Sequence, residues 1–155
     1  MGWSDWGRRF RYLFKASFSR IFSKRPDPSV ITEEEVLSRF INSDSHYRKE
    51  KKRVLYGAFL PTRNGETSVF RTSGLTEGAI WSLAQEQLDL PSGRRIHGRG
   101  DVEARGVRST GLRAEPEVST HHLHANILGW PSEKEKQRLF AGELALKATL
   151  HLLEE

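Results

Sequence analysis

Residues 121–128 read HHLHANIL, placing two histidines and an asparagine at every second position. On an extended strand side chains alternate, so His122, His124 and Asn126 project to one side. Imidazoles titrate near neutrality, so His124 and His122 can divide acid and base duties while Asn126 holds a substrate oxygen. The same histidines can chelate a metal, but a closed site needs more ligands, and Asp101, Glu103 and His46 are the nearest. No HExxH pattern is present, and the expectation is no metal and no cofactor. The plain alternative is an exposed strand face whose histidines are ordinary polar residues.

A second candidate is Arg71, which closes ETSVFRT and shares a face with Val69 while Phe70 points the other way. A forked guanidinium beside Thr72, Ser73 and Gly74 suits a phosphate or carboxylate. The following TSGLTE turn enters a helix whose first amides can hold an anion. The structural alternative for Arg71 is pairing with a nearby acid. The loop PSGRRIHGRG sets Arg94, Arg95, His97 and Arg99 among glycines, a composition that fits a phosphorylated ligand or a solvated loop. It interleaves no aromatic for base stacking. The tripeptide Arg99-Gly100-Asp101 is read as a chance match to an adhesion motif. Nucleophiles are poorly signalled: there is no cysteine and no GxSxG turn, and Ser119 to His122 does not make a triad alone.

These residues support one enzymatic reading, a hydrolase or transferase acting on RNA or a nucleotide. His124 is its acid or base and Arg71 its charge clamp, with His122, Asn126 and His46 in support. It requires Arg71 and His124 to converge in one cleft.

The elements that must position them follow from periodicity and punctuation. Thr32 and Glu35 form a capping box for a helix over about Glu33 to Ile41, ended by NSDS. HYRKEKK is a charged loop or strand lead-in. RVLYGAFL and ETSVFRT are strand-like runs around Asn64-Gly65, a hairpin signal. Thr76 caps a helix over about Glu77 to Leu88, with Ile80, Trp81, Leu83 and Ala84 inward. DVEARGVR alternates as a strand, with Val102, Ala104 and Gly106 on one side, and HHLHANIL follows. Ser132 and Glu135 form a second box for a helix over about Glu133 to Leu153, with Leu139, Phe140, Leu144, Ala148 and Leu152 as its stripe. The fold class expected is α+β, a small mostly antiparallel sheet with helices.

The chain has 155 residues, 36% hydrophobic and 29% charged, with a net charge of +5. The charge is not spread evenly. Arg8, Arg9, Arg11, Lys15, Arg20, Lys24 and Arg25 face only Asp5 in the first 25 residues, a balance of +6, and the rest of the chain is at −1. In the same stretch Trp3, Trp6, Phe10, Leu13, Phe14, Phe18, Ile21 and Phe22 recur by threes and fours, one apolar stripe on a helix. Such a helix suits an anionic membrane surface, a partner's groove, or the chain's own core. No apolar run is long enough to span a bilayer as a helix, and arginines interrupt every candidate signal-peptide core. The organisation expected is a basic amphipathic helix over 1–25, a linker over 26–31 and an α+β domain over 32–155.

The segments SHYR, AFLP, NGETSVFRTSGL and HANILGWPSEKEKQ resemble those of small stand-alone bacterial proteins, over roughly Ser43 to Leu152. The resemblance implies a bacterial origin and carries over no catalytic residue. The functional expectation is a cytoplasmic ligand-binding or effector module of a bacterial defence or toxin-like system. Residues 3 to 24 hold it at the inner membrane face or at a partner. The alternatives are the histidine enzyme above and a non-enzymatic subunit of a larger complex.

Overall fold

The structure is a computed structural model, and residues 27–154 are described. The helix expected over residues 1–25 lies outside the described residues.

The architecture is α+β: a six-stranded sheet, antiparallel throughout, with helices on both faces. The strands are β1 (Val36–Ile41), β4 (Thr67–Arg71), β5 (Gly98–Glu103), β6 (Arg113–Pro116), β7 (His124–Leu128) and β8 (Thr149–Leu152). Their order across the sheet is β6-β7-β4-β1-β5-β8, and β2 (Tyr47–Arg48) pairs with β3 (Arg53–Val54) as a separate small hairpin. The helices are α1 (Glu77–Ala84), α2 (Ala104–Ser109) and α3 (Lys134–Lys147).

The register divides the residues between two faces, because paired residues point the same way. Leu37, Val69, Val102, Ala125 and Ile127 line one face, which α3 covers with Ala141, Leu144 and Ala145. Full burial of a Leu or Ile side chain there stabilises by about 1.5–3 kcal/mol. The opposite face is mixed. Its centre is apolar, with Phe40 and Phe70 under Ile80, Leu83 and Ala84 of α1. Its two ends are polar: Ser68, His124 and Asn126 on β4 and β7, and Arg99 and Asp101 on β5.

Several expected elements change. Val36–Ile41 is the strand β1 in place of a helix, since Glu35 is drawn to Arg71 and the chain runs extended down the centre of the sheet. The capping-box bond does form, with the amide of Thr32 donating to Glu35 at 3.2 Å, but it closes a turn rather than opening a helix. RVLYGAFL is a strand only at Arg53–Val54 and then a 3-10 turn over Tyr56–Ala58. The Asn64-Gly65 turn forms, with Gly65 at φ +73°, without joining two paired strands. HGRG is not loop: Gly98 to Gly100 belong to β5. A Cβ on Gly98 would lie 2.5 Å from the carbonyl oxygen of His151, so glycine is what lets β8 approach. DVEARGVR turns helical at Ala104.

Thr76 does cap α1, its hydroxyl accepting from the amide of Ala79 at 3.2 Å, although a π turn over Gln85–Asp89 follows Ala84. The last helix begins without a side-chain cap at Glu133 and stops at Lys147, where Ala148 becomes extended and β8 follows. Leu139, expected on the buried stripe, is 67% exposed. Strands β6 and β8 were not foreseen at all.

Candidate functional site

β4 and β7 run antiparallel with Ser68 opposite Asn126 and Phe70 opposite His124. The side chains of Ser68, His124 and Asn126 therefore stand together on the mixed face, diagonal and direct neighbours within reach of one another. β6 adds Glu115 opposite Asn126, and the loop after β6 returns Glu117 to His124, whose carbonyl accepts from the Glu117 amide.

The bonds within this group are directional. His124 Nδ1 faces two acceptors, the Glu117 carbonyl at 2.8 Å and Glu117 Oε2 at 3.0 Å, so Nδ1 carries the proton of the neutral ring. Nε2 is then an acceptor, and the Ser68 hydroxyl donates to it at 2.6 Å. Serine, histidine and glutamate are thus joined in series, with the base between nucleophile and orienting carboxylate. His124 is buried against Phe70, ring centroids 5.3 Å apart, which fixes the imidazole plane. Ser68 remains half-exposed. Glu117 is held below the usual carboxylate range chiefly by the hydroxyl and amide of Ser119, with His124 adding to the effect. Beside Ser68, the amide nitrogen of Asn126 donates to Glu66 at 2.6 Å.

The other expected site residues scatter. His122 precedes β7 and lies off the ladder. The chain turns there, with the His124 amide donating to the His121 carbonyl, and His122 stacks on His121 at 4.4 Å. Burial, with His122 adjoining, lowers the proton affinity of His121. Arg71 pairs with Leu37 and so points to the face opposite His124. Its guanidinium is spent: it holds Glu35 at 2.5 and 3.1 Å and donates to the carbonyls of Asp27, Pro28 and Val30. The single-cleft geometry for a phosphoryl enzyme is therefore not formed, and the structural alternative for Arg71 is the one observed. His46 packs close to Gly57, where burial and then the charge of Arg39 lower its proton affinity, and Arg39 belongs to the face away from His124.

Arg99 is also committed. Its side chain is 2% exposed, held by Glu77 at 2.7 Å and Asp101 at 3.1 Å, with Trp81 stacked 4.7 Å away. Arg94 and Arg95 stay on the exposed loop. Among the described residues no group of three His, Asp or Glu side chains is placed to hold a metal ion. No helix among them is long and apolar enough to cross a membrane.

Two members of the relay were missed from sequence. Ser68 had a signal, since it alternates with Val69 and lies in phase with Phe70 on the polar side of a strand. Glu117 had none, because its place depends on β6. Comparison with protein-family models, with curated proteins and with solved structures finds no match to this chain.

Proposed function

We propose that the chain is a serine-dependent acyl hydrolase or transferase acting at Ser68. The carrying observation is the series Ser68 Oγ to His124 Nε2 at 2.6 Å and His124 Nδ1 to Glu117 Oε2 at 3.0 Å. His124 takes the hydroxyl proton as Ser68 attacks a carbonyl, and Glu117 stabilises the imidazolium that forms. Asn126 stands across from Ser68, and the second hydrogen of its amide supplies a donor for the developing oxyanion. Glu66 and Glu117 flank the position, while Glu115 is paired with Arg113 at 2.9 Å, so the reading favours a neutral or cationic acyl substrate over a phosphodiester. The test is hydrolysis of p-nitrophenyl esters with neutral and with anionic acyl groups. The neutral esters are cleaved faster, and Ser68→Ala removes the activity; turnover unchanged in Ser68→Ala rejects the proposal.

A second reading concerns location and rests on the +6 balance and aromatic stripe of the first 25 residues. Residues 3 to 24 attach this body to an anionic membrane surface, each cation adding about 1 kcal/mol near the headgroups. Flotation with anionic liposomes, lost on deletion of residues 1–25, supports it; equal flotation of both forms removes it.

A further inference from the structure

The two edges of the sheet are built differently. β6 reads RAEP, with charges and a proline, the features that keep an edge strand from recruiting another. β8 reads TLHL and is followed by Leu153, with neither. The outer side of β8 borders an open cleft of about 1180 Å³, which Leu150 to Glu154 line along the strand. Trp81 reaches the cleft from the mixed face, while Tyr47, Lys49 and Lys52 come from the β2–β3 hairpin on the apolar side. A cavity touched from both faces lies around the edge of the sheet.

The backbone groups available there follow from the ladder. The Leu153 amide donates to His97, and His151 is paired with Arg99, so alternate residues 149, 151 and 153 bond inward to β5. Leu150 and Leu152 then turn their N–H and C=O outward into the cleft. The hairpin turn contributes Lys49 and Lys52, for which the described residues provide no carboxylate partner. The cleft carboxylates are Glu77, which Arg99 already neutralises, and Glu154.

We propose that the outer edge of β8, unpaired among the described residues, accepts an extended acidic peptide as a seventh strand. Main-chain bonds to Leu150 and Leu152 hold it, and its carboxylates meet Lys49 and Lys52. This site is separate from Ser68, and its test does not depend on hydrolysis. The probes are a short peptide of alternating glutamate and valine, its lysine counterpart, and the acidic peptide N-methylated at alternate amides. The full chain is titrated with each, and amide hydrogen exchange is followed at Leu150 and Leu152.

The acidic peptide slows exchange at both amides, while the N-methylated and lysine forms do so at least tenfold more weakly. Lys49→Glu combined with Lys52→Glu weakens the acidic peptide on the order of tenfold. Equal binding of the N-methylated form, equal binding of the lysine peptide, or no slowing at all overturns the proposal. Slow exchange at both amides in the free chain also overturns it, because a second copy or the chain's own residues 1–26 would then fill the edge.

Discussion

At the β5 end of the mixed face, Arg99 is enclosed by Asp101, Glu77 and Trp81. Asp101 also accepts from Ser38 at 2.6 Å, and its other oxygen lies 3.4 Å from His151. The guanidinium there is answered by two carboxylates and a ring. At the β4–β7 end, a few residues across the same face, a hydroxyl leans on an imidazole whose far side is held by a carboxylate. Phe40 and Phe70, 5.5 Å apart, separate the two ends. Both are buried polar networks on one sheet, but a closed ion pair only fixes structure, whereas a hydroxyl–imidazole–carboxylate series can also transfer a proton. The first network is a set of mutually paired charges. The second sets a hydroxyl, an imidazole and a carboxylate in series and is the candidate for chemistry.

The largest effect separating the two is expected from Arg99→Ala. It removes the guanidinium shared by Asp101 and Glu77 and leaves Asp101 to Ser38 and His151, a loss of charge-assisted bonds that costs about 1.5–3 kcal/mol. Urea unfolding of this variant should show that loss, while esterase activity per folded molecule survives. Ser68→Ala should do the reverse. One hydrogen bond is lost, about 1 kcal/mol in the same unfolding assay, and activity disappears.

Acid should distinguish the ends next. His121, near the relay, has its proton affinity lowered by burial and by His122, so the folded form favours the neutral ring. A histidine lowered in this way contributes stability that is full above its unfolded pKa, near 6.5, and lost as pH falls through the folded value. Glu77 is lowered by its bonds to Arg99, so the β5 end keeps its pairing through this pH range. Between pH 7.5 and about 5.5 amide protection factors, which correct for the intrinsic pH dependence of exchange, should fall at Phe70 and His124 and stay constant at Arg99 and Val102. His121→Asn should flatten that response. The smallest effect is expected from Glu77→Gln. Its side chain is 66% exposed, and an exposed partner in an ion pair is worth under about 1 kcal/mol by thermal denaturation.

How much of this was legible in sequence depended on how local the deciding interaction was. Thr76 capping α1 and the alternation of SVFR and HANI are local, and both are seen. Val36–Ile41 looked helical because the capping box is a real local signal. A contact 36 residues away, Glu35 with Arg71, overrides it. TLHL looked like helix because α3 precedes it with compatible spacing, and only the close approach at Gly98 reveals a strand partner. For Arg71 the sequence leaves both a clamp and an acid partner open, and the carboxylate and carbonyls of residues 27–35 decide for the second. His124 and Asn126 share a side of β7, as strand parity alone predicts. Ser68 and Glu117 join them through strand pairing and through a loop, neither of which has a composition of its own.

The relay itself is tested most directly by intact-mass and peptide mapping after treatment with a fluorophosphonate. The account predicts one adduct, on Ser68, formed rapidly in the native chain and suppressed in both His124→Gln and Glu117→Gln. Absence of an adduct on Ser68 in the folded native chain, or labelling there that is unchanged in His124→Gln, would contradict it.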